Sequence, residues 1–139
     1  MLSNLFKPNS LILIALLVIA TILRFWNLNE LDLMHDELSA LSRLQYDNFN
    51  DFIYYGIQID GHPAGVQLFL YYFTSLFGYS APIIKLPFII AGIASIYLAF
   101  KIGKKWFSES TGLFTAASLV GLQYTIIYSD IIRPYSPGL

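Results

Sequence analysis

The sequence predicts an all-α integral membrane protein with three transmembrane helices, at about residues 10–26, 82–102 and 111–132. Its composition is 56% hydrophobic and 12% charged, whereas soluble domains carry about 45–50% apolar and about 25% charged residues. The apolar residues also form continuous runs, of the roughly 17–25 residues that a membrane helix needs. The net charge of −1 gives no reason to expect a nucleic acid as partner, and the absence of cysteine excludes disulfides and thiolate metal sites.

The first predicted span begins after Pro8 and ends in Arg24, Phe25 and Trp26. No small-residue cleavage site follows the apolar run, which therefore indicates a retained anchor rather than a signal peptide. Arg24 is expected to extend to the membrane interface, where the indole of Trp26 is also favourable.

Residues 27–60 are acidic, with seven Asp or Glu side chains against the single Arg43. Their apolar spacing predicts short amphipathic helices at about 36–46 and 50–56, and a third helix is predicted at 63–77. The apolar run of this third helix, about 15 residues at 1.5 Å per residue, reaches roughly 22 Å, short of a hydrocarbon core of about 30 Å. All three are expected to be interfacial or partly embedded.

The lysines predict the orientation of the chain. With the N-terminus inside, Lys7 and the three lysines of residues 101–105 are cytoplasmic, in agreement with the positive-inside rule. A fourth span at 66–78 would move the lysines of residues 101–105 outside, so the rule disfavours it. In the three-span arrangement the polar candidates gather at the outer face: Asp36, Glu37, His62, Lys85, Asp130 and Arg133.

Two of these candidates are adjacent carboxylates, and one is a histidine in a turn. Asp36 and Glu37 can cap the first turn of a helix, or one of them can act as a general base. His62 precedes Pro63, which suits the first position of a helix. It is either a solvated turn residue or a ligand.

Two cationic candidates lie near the ends of the later spans. Lys85 either extends to the outer interface or serves a function inside the span, where burial of its charge costs about 2.5–3.5 kcal/mol on insertion scales. Arg133 either pairs with Asp130 on one helix face or binds the phosphate of an anionic lipid, because its planar guanidinium suits two-point recognition.

The order of these motifs resembles the N-terminal part of the polytopic glycosyltransferases of the dolichyl-phosphate-mannose protein mannosyltransferase type (glycosyltransferase family 39 and its bacterial relatives, the GT-C fold). The matching stretches are His-Asp-Glu at 35–37, Asp-Gly-His-Pro at 60–63, Lys-Leu-Pro at 85–87 and residues 128–135. The chain departs from the family at Ala64, often a proline, and at Lys85, often an arginine. The resemblance implies that residues 1–139 form a single membrane domain, the first quarter to third of a larger enzyme.

The resemblance also implies a function. A sugar, a mannose-type hexose or similar, would pass from a polyprenyl-phosphate donor to a hydroxyl of an acceptor glycan, lipid or protein. The reaction would occur at the outer face of a membrane, here a bacterial inner membrane. Asp36 would be the catalytic base with Glu37 beside it, and Lys85, Arg133 and His62 would bind the lipid phosphate.

No cofactor is assigned from the sequence. A divalent metal held partly by His62 is left open, because a carboxylate near this position helps to hold one in related aminoarabinose transferases. Two alternatives to an enzyme also stay open: a small non-catalytic membrane assembly protein, and a protein that binds lipid headgroups.

Overall fold

The computed structural model describes residues 8–26, 28, 33–59 and 63–133, and within these ranges it contains helices and turns but no strand. The all-α prediction is therefore confirmed. The helices are α1 (Pro8–Phe25), α2 (His35–Ser42), α3 (Phe49–Asp51) with a π-helical continuation over Phe52–Ile57, α4 (Ala64–Phe77), α5 (Ala81–Trp106), α6 (Glu109–Gly121) and α7 (Gln123–Ser129).

Two of these helices, α1 and α5, are each long and apolar enough to cross a membrane. The pair α6 and α7 qualifies as a third span only when it is taken together, and it is bent by 66° at the break between its two helices. Helix α4 has 14 residues, too few for a full span. The interfacial helices lie close to their predicted positions.

The bend in the third span is the main departure from the predicted continuous helix at 111–132. Leu122 has an extended backbone, with φ −73° and ψ 119°. The hydroxyl of Thr125 donates to the carbonyl of Leu119 at 2.5 Å, which compensates one of the last carbonyls of α6 for the N–H partner that a continuous helix would supply. Both halves are apolar, so hydropathy does not reveal the break.

Helices α5 and α6 form a tight antiparallel hairpin. Ser108 caps α6 by accepting a hydrogen bond from the Thr111 N–H at 3.1 Å. Near this end, a Cβ on Gly103 would lie 2.9 Å from the Cα of Gly112, and a Cβ on Gly112 would lie 2.6 Å from the Phe100 carbonyl oxygen. The two backbones approach this closely only because both positions are glycine.

The buried apolar residues form two clusters. A membrane cluster joins α1, α5 and α6, and consists of Ala20, Ile96, Phe100, Ala116 and Val120. An interfacial cluster fixes α2, the π-helical turn and α4 over the start of α5, and its buried residues are Ala40, Leu41, Leu44, Phe52, Leu70, Ile84, Phe88 and Ile132. Within it, the rings of Phe52 and Tyr71 stack with their centroids 4.3 Å apart. This cluster holds the acidic first turn of α2 against Lys85.

Candidate functional site

The site begins at the first turn of α2, where Glu37 is fully buried. Its Oε2 accepts a hydrogen bond from the backbone N–H of Met34 at 2.7 Å. A carboxylate in this place satisfies an N–H that the helix leaves without a partner, and it also interacts favourably with the helix dipole. For Glu37, the predicted helix-capping role is therefore confirmed.

Glu37 also connects three separate parts of the chain. Its Oε2 lies 3.4 Å from the Nζ of Lys85 in α5, and its Oε1 accepts a hydrogen bond from the Ile132 N–H at 3.1 Å. Lys85 is only 2% exposed, so the alternative in which it extends to the interface is wrong. The carboxylate of Glu37 offsets the cost of burying the ammonium group in the interfacial cluster.

Arg133 makes the second contact that holds α2 in place. Its Nη2 donates to the backbone carbonyl of Asp36 at 2.7 Å, and its side chain is buried. This contact is possible because α7 ends at Ser129, and the next residues lie outside the helix. The predicted span to residue 132 would have kept Arg133 on a helix face instead.

Four of the five predicted site residues therefore come together: Asp36, Glu37, Lys85 and Arg133. Their roles in the structure differ. The Asp36 side chain is exposed, although its backbone is fixed by Arg133, whereas both oxygens of Glu37 are engaged with protein groups. An exposed carboxylate on a fixed backbone can exchange a proton with a bound molecule, and a buried one with occupied oxygens cannot reach it. The structure therefore places an exposed Asp36 carboxylate beside a buried Glu37–Lys85 ion pair, and the catalytic role of Asp36 stays a prediction.

The predicted metal ligand, His62, lies outside the described residues. Within residues 8–26, 28, 33–59 and 63–133, no group of three or more His, Cys, Asp or Glu side chains is arranged to hold a metal ion. The described residues alone therefore do not supply a metal site, and the role of His62 stays a prediction.

Arg24 is the polar residue whose environment differs most from the prediction. It is 1% exposed and does not extend to the interface. Its Nη2 donates to the carbonyl of Thr125 at 3.3 Å, beyond the break in the third span, and its Nη1 donates to that of Ala20 at 3.4 Å. The signal that could have found it is a cation within an otherwise apolar span, since such residues generally face the protein interior.

Comparisons with known proteins add one finding to this geometry. A family model described as dolichyl-phosphate-mannose-protein mannosyltransferase matches residues 61–134, which is just over half of the 139-residue chain. The matched region contains Lys85, Asp130 and Arg133, whereas Asp36 and Glu37 precede it. No significant match was found among curated proteins or among solved structures.

Proposed function

Because the chain belongs to the dolichyl-phosphate-mannose-protein mannosyltransferase family, we propose that it takes part in sugar transfer from a polyprenyl-phosphate donor to a hydroxyl group. The transferred sugar is a mannose-type hexose, and the acceptor is a glycan, a lipid or a protein. The observation that carries the proposal is the family match itself. The contacts of α2 with Lys85 and Arg133 support it, because they join the matched region to the first turn of α2, which carries Asp36.

In the proposed reaction, Asp36 accepts the proton of the acceptor hydroxyl. The acceptor oxygen forms a bond to the anomeric carbon of the sugar as the bond from that carbon to the phosphate oxygen breaks. The polyprenyl phosphate leaves with the bonding electrons, and nearby cationic groups stabilise its negative charge. Arg133 is suited to this task, since it lies against the backbone of Asp36.

The Glu37–Lys85 pair has a supporting role in this proposal. Burial of both side chains in an ion pair of 3.4 Å keeps the first turn of α2 in one position relative to α5. Catalytic groups must be held close to their productive geometry, because small displacements cost large factors in rate. Lys85 then contributes to phosphate binding through its positive charge rather than by direct contact.

The proposed setting is a bacterial inner membrane, with the N-terminus inside and the acidic segment outside. The charges on α5 support this orientation: Lys101, Lys104 and Lys105 lie at its C-terminal end, opposite the end that holds Lys85. Lysines flanking a span on one side favour the cytoplasm for that side.

A cysteine at Lys104 is expected to be shielded from impermeant thiol reagents added to the outer side of intact cells. A cysteine at Asp51, an exposed position in α3, serves as the control and is expected to react. The chain contains no native cysteine, so each label reports one position. Labelling at Lys104 with protection at Asp51 would reverse the proposed orientation.

The activity is tested with membranes of cells that express the protein. These membranes are supplied with a polyprenyl phosphate that carries radiolabelled mannose, or glucose in a parallel assay. The expected result is label in an acceptor fraction together with release of the polyprenyl phosphate, above the level in membranes without the protein. Binding of the donor without transfer would favour the headgroup-binding alternative, and neither binding nor transfer would favour an assembly protein.

A further inference from the structure

A cavity of about 200 Å³ lies between α1, α5 and the bent third span, apart from the contacts of Glu37. Its walls are mainly apolar, and its polar lining residues are Arg24, Ser95 and Thr125. The share of liquid volume of one water molecule is about 30 Å³, so the cavity can hold a phosphate group together with its first carbon atoms. Leu98 and Ile102 also line it, and both are exposed on the outer surface of α5. The apolar wall therefore continues onto the lipid-facing side.

Arg24 is the lining residue with hydrogen-bond donors to spare. The hydroxyl of Ser95 donates to the Gly92 carbonyl at 2.8 Å, and that of Thr125 donates to carbonyls at the helix break. A guanidinium has five N–H donors, and the structure gives Arg24 two hydrogen bonds to described residues, through Nη1 and Nη2. Its buried Nε has no hydrogen-bond partner among the described residues.

The charge of Arg24 also calls for a counter-ion. The negative charge of Asp130 acts on it, but no described carboxylate forms a direct ion pair with it. A buried cation in a membrane segment is costly and generally marks a ligand or ion pathway. An anion that accepts from the Nε–H would satisfy both the unused donor and the charge, and phosphate suits the planar guanidinium best.

From these observations we infer that the cavity binds the phosphate of a polyprenyl phosphate, with Arg24 as its anion ligand and the chain leaving over Leu98 and Ile102. The inference rests on the proposed function, because it assigns a place to the lipid that sugar transfer releases. It assigns the released phosphate to Arg24, whereas Arg133 is proposed to stabilise the phosphate while its bond to the sugar breaks. A phospholipid with a phosphodiester headgroup lacks the monoester charge, and free phosphate lacks an apolar chain to contact Leu98 and Ile102.

The test is equilibrium binding of farnesyl phosphate to the purified protein in phosphatidylcholine nanodiscs. Arg24→Gln is expected to weaken binding at least about tenfold, since a hydrogen bond to a charged group contributes about 1.5–3 kcal/mol. Arg24→Lys should retain part of the affinity, because lysine keeps the positive charge but lacks the planar guanidinium that donates two parallel hydrogen bonds. Ala99→Leu places extra volume at a lining position without altering Arg24, and should also weaken binding. Lys101→Gln, exposed on α5, is the control and should bind as the wild type does.

Three probes test the phosphate and the apolar chain of the ligand separately. Farnesol has the chain without the phosphate, inorganic phosphate lacks the chain, and phosphatidylglycerol vesicles present a phosphodiester. Each is expected to bind more weakly than farnesyl phosphate. Unchanged farnesyl phosphate affinity in both Arg24→Gln and Ala99→Leu would overturn the inference, as would equal binding of phosphatidylglycerol or of inorganic phosphate. Arg24-dependent binding in a protein without transferase activity would leave the site standing and contradict the proposed function. Sugar transfer by the wild-type protein, together with farnesyl phosphate binding that does not depend on Arg24, would support the proposed function and overturn the inference about the cavity.

Discussion

Asp36→Asn is expected to lower the rate of sugar transfer by about 10²–10⁴-fold, the usual contribution of a positioned general base. The substitution keeps the shape of the side chain and removes its ability to take the acceptor proton. It leaves the backbone carbonyl that Arg133 contacts at 2.7 Å. Loss of a carboxylate from the first turn of a helix costs only about 0.3–1 kcal/mol, so the variant should remain folded in the membrane.

The matched control is Asp47→Asn, the same chemical change at an exposed carboxylate shortly after α2. It should leave transfer unchanged. Both variants are compared at equal membrane content, with the initial rate of transfer as the measurement. Activity of Asp36→Asn close to that of the wild type would remove Asp36 from the role of base.

The sequence was sufficient to predict an all-α membrane protein and the approximate positions of its spans, because a helix that crosses the lipid must be apolar over most of its length. An uninterrupted apolar run as long as that of α1 indicates a span, and the predicted run of about 15 residues at α4 is close to the 14 residues observed. The positive-inside rule, applied to the lysines, then predicted that Lys85 and Arg133 lie on the same side of the membrane as Asp36 and Glu37. The contacts of α2 with both residues agree with that expectation.

Which of Asp36 and Glu37 is buried could not be predicted from their spacing. Adjacent residues on a helix point about 100° apart, so only one of the two need face the protein, and spacing does not say which. The break at Leu122 and the inward direction of Arg24 have the same origin. Both depend on how α7 packs against α1, and such a tertiary contact leaves no periodic signal in either segment.

Glu37→Gln is expected to lower the free energy of unfolding by about 3–5 kcal/mol, the usual cost of removing one partner of a buried ion pair. The single glutamine oxygen can accept from only one of the Met34 and Ile132 N–H groups, so the loss combines the missing charge beside Lys85 with one lost hydrogen bond. Lys85→Met should cost a similar amount, because it leaves the carboxylate of Glu37 buried without its ammonium partner. Reversible unfolding of the protein in mixed detergent micelles measures both effects.

The double variant Glu37→Gln/Lys85→Met should be more stable than either single variant, because no isolated charge of the pair stays buried. The exposed pair of Lys104 and Glu109 is the control. Its Nζ–Oε1 distance of 2.9 Å is shorter than the 3.4 Å of the buried pair, yet a solvent-exposed pair contributes only about 0–1 kcal/mol. Lys104→Met should therefore have little effect, which separates burial from distance as the cause. Additive losses in the double variant would show that Glu37 and Lys85 act independently, and that the first turn of α2 is held to α5 by apolar packing alone.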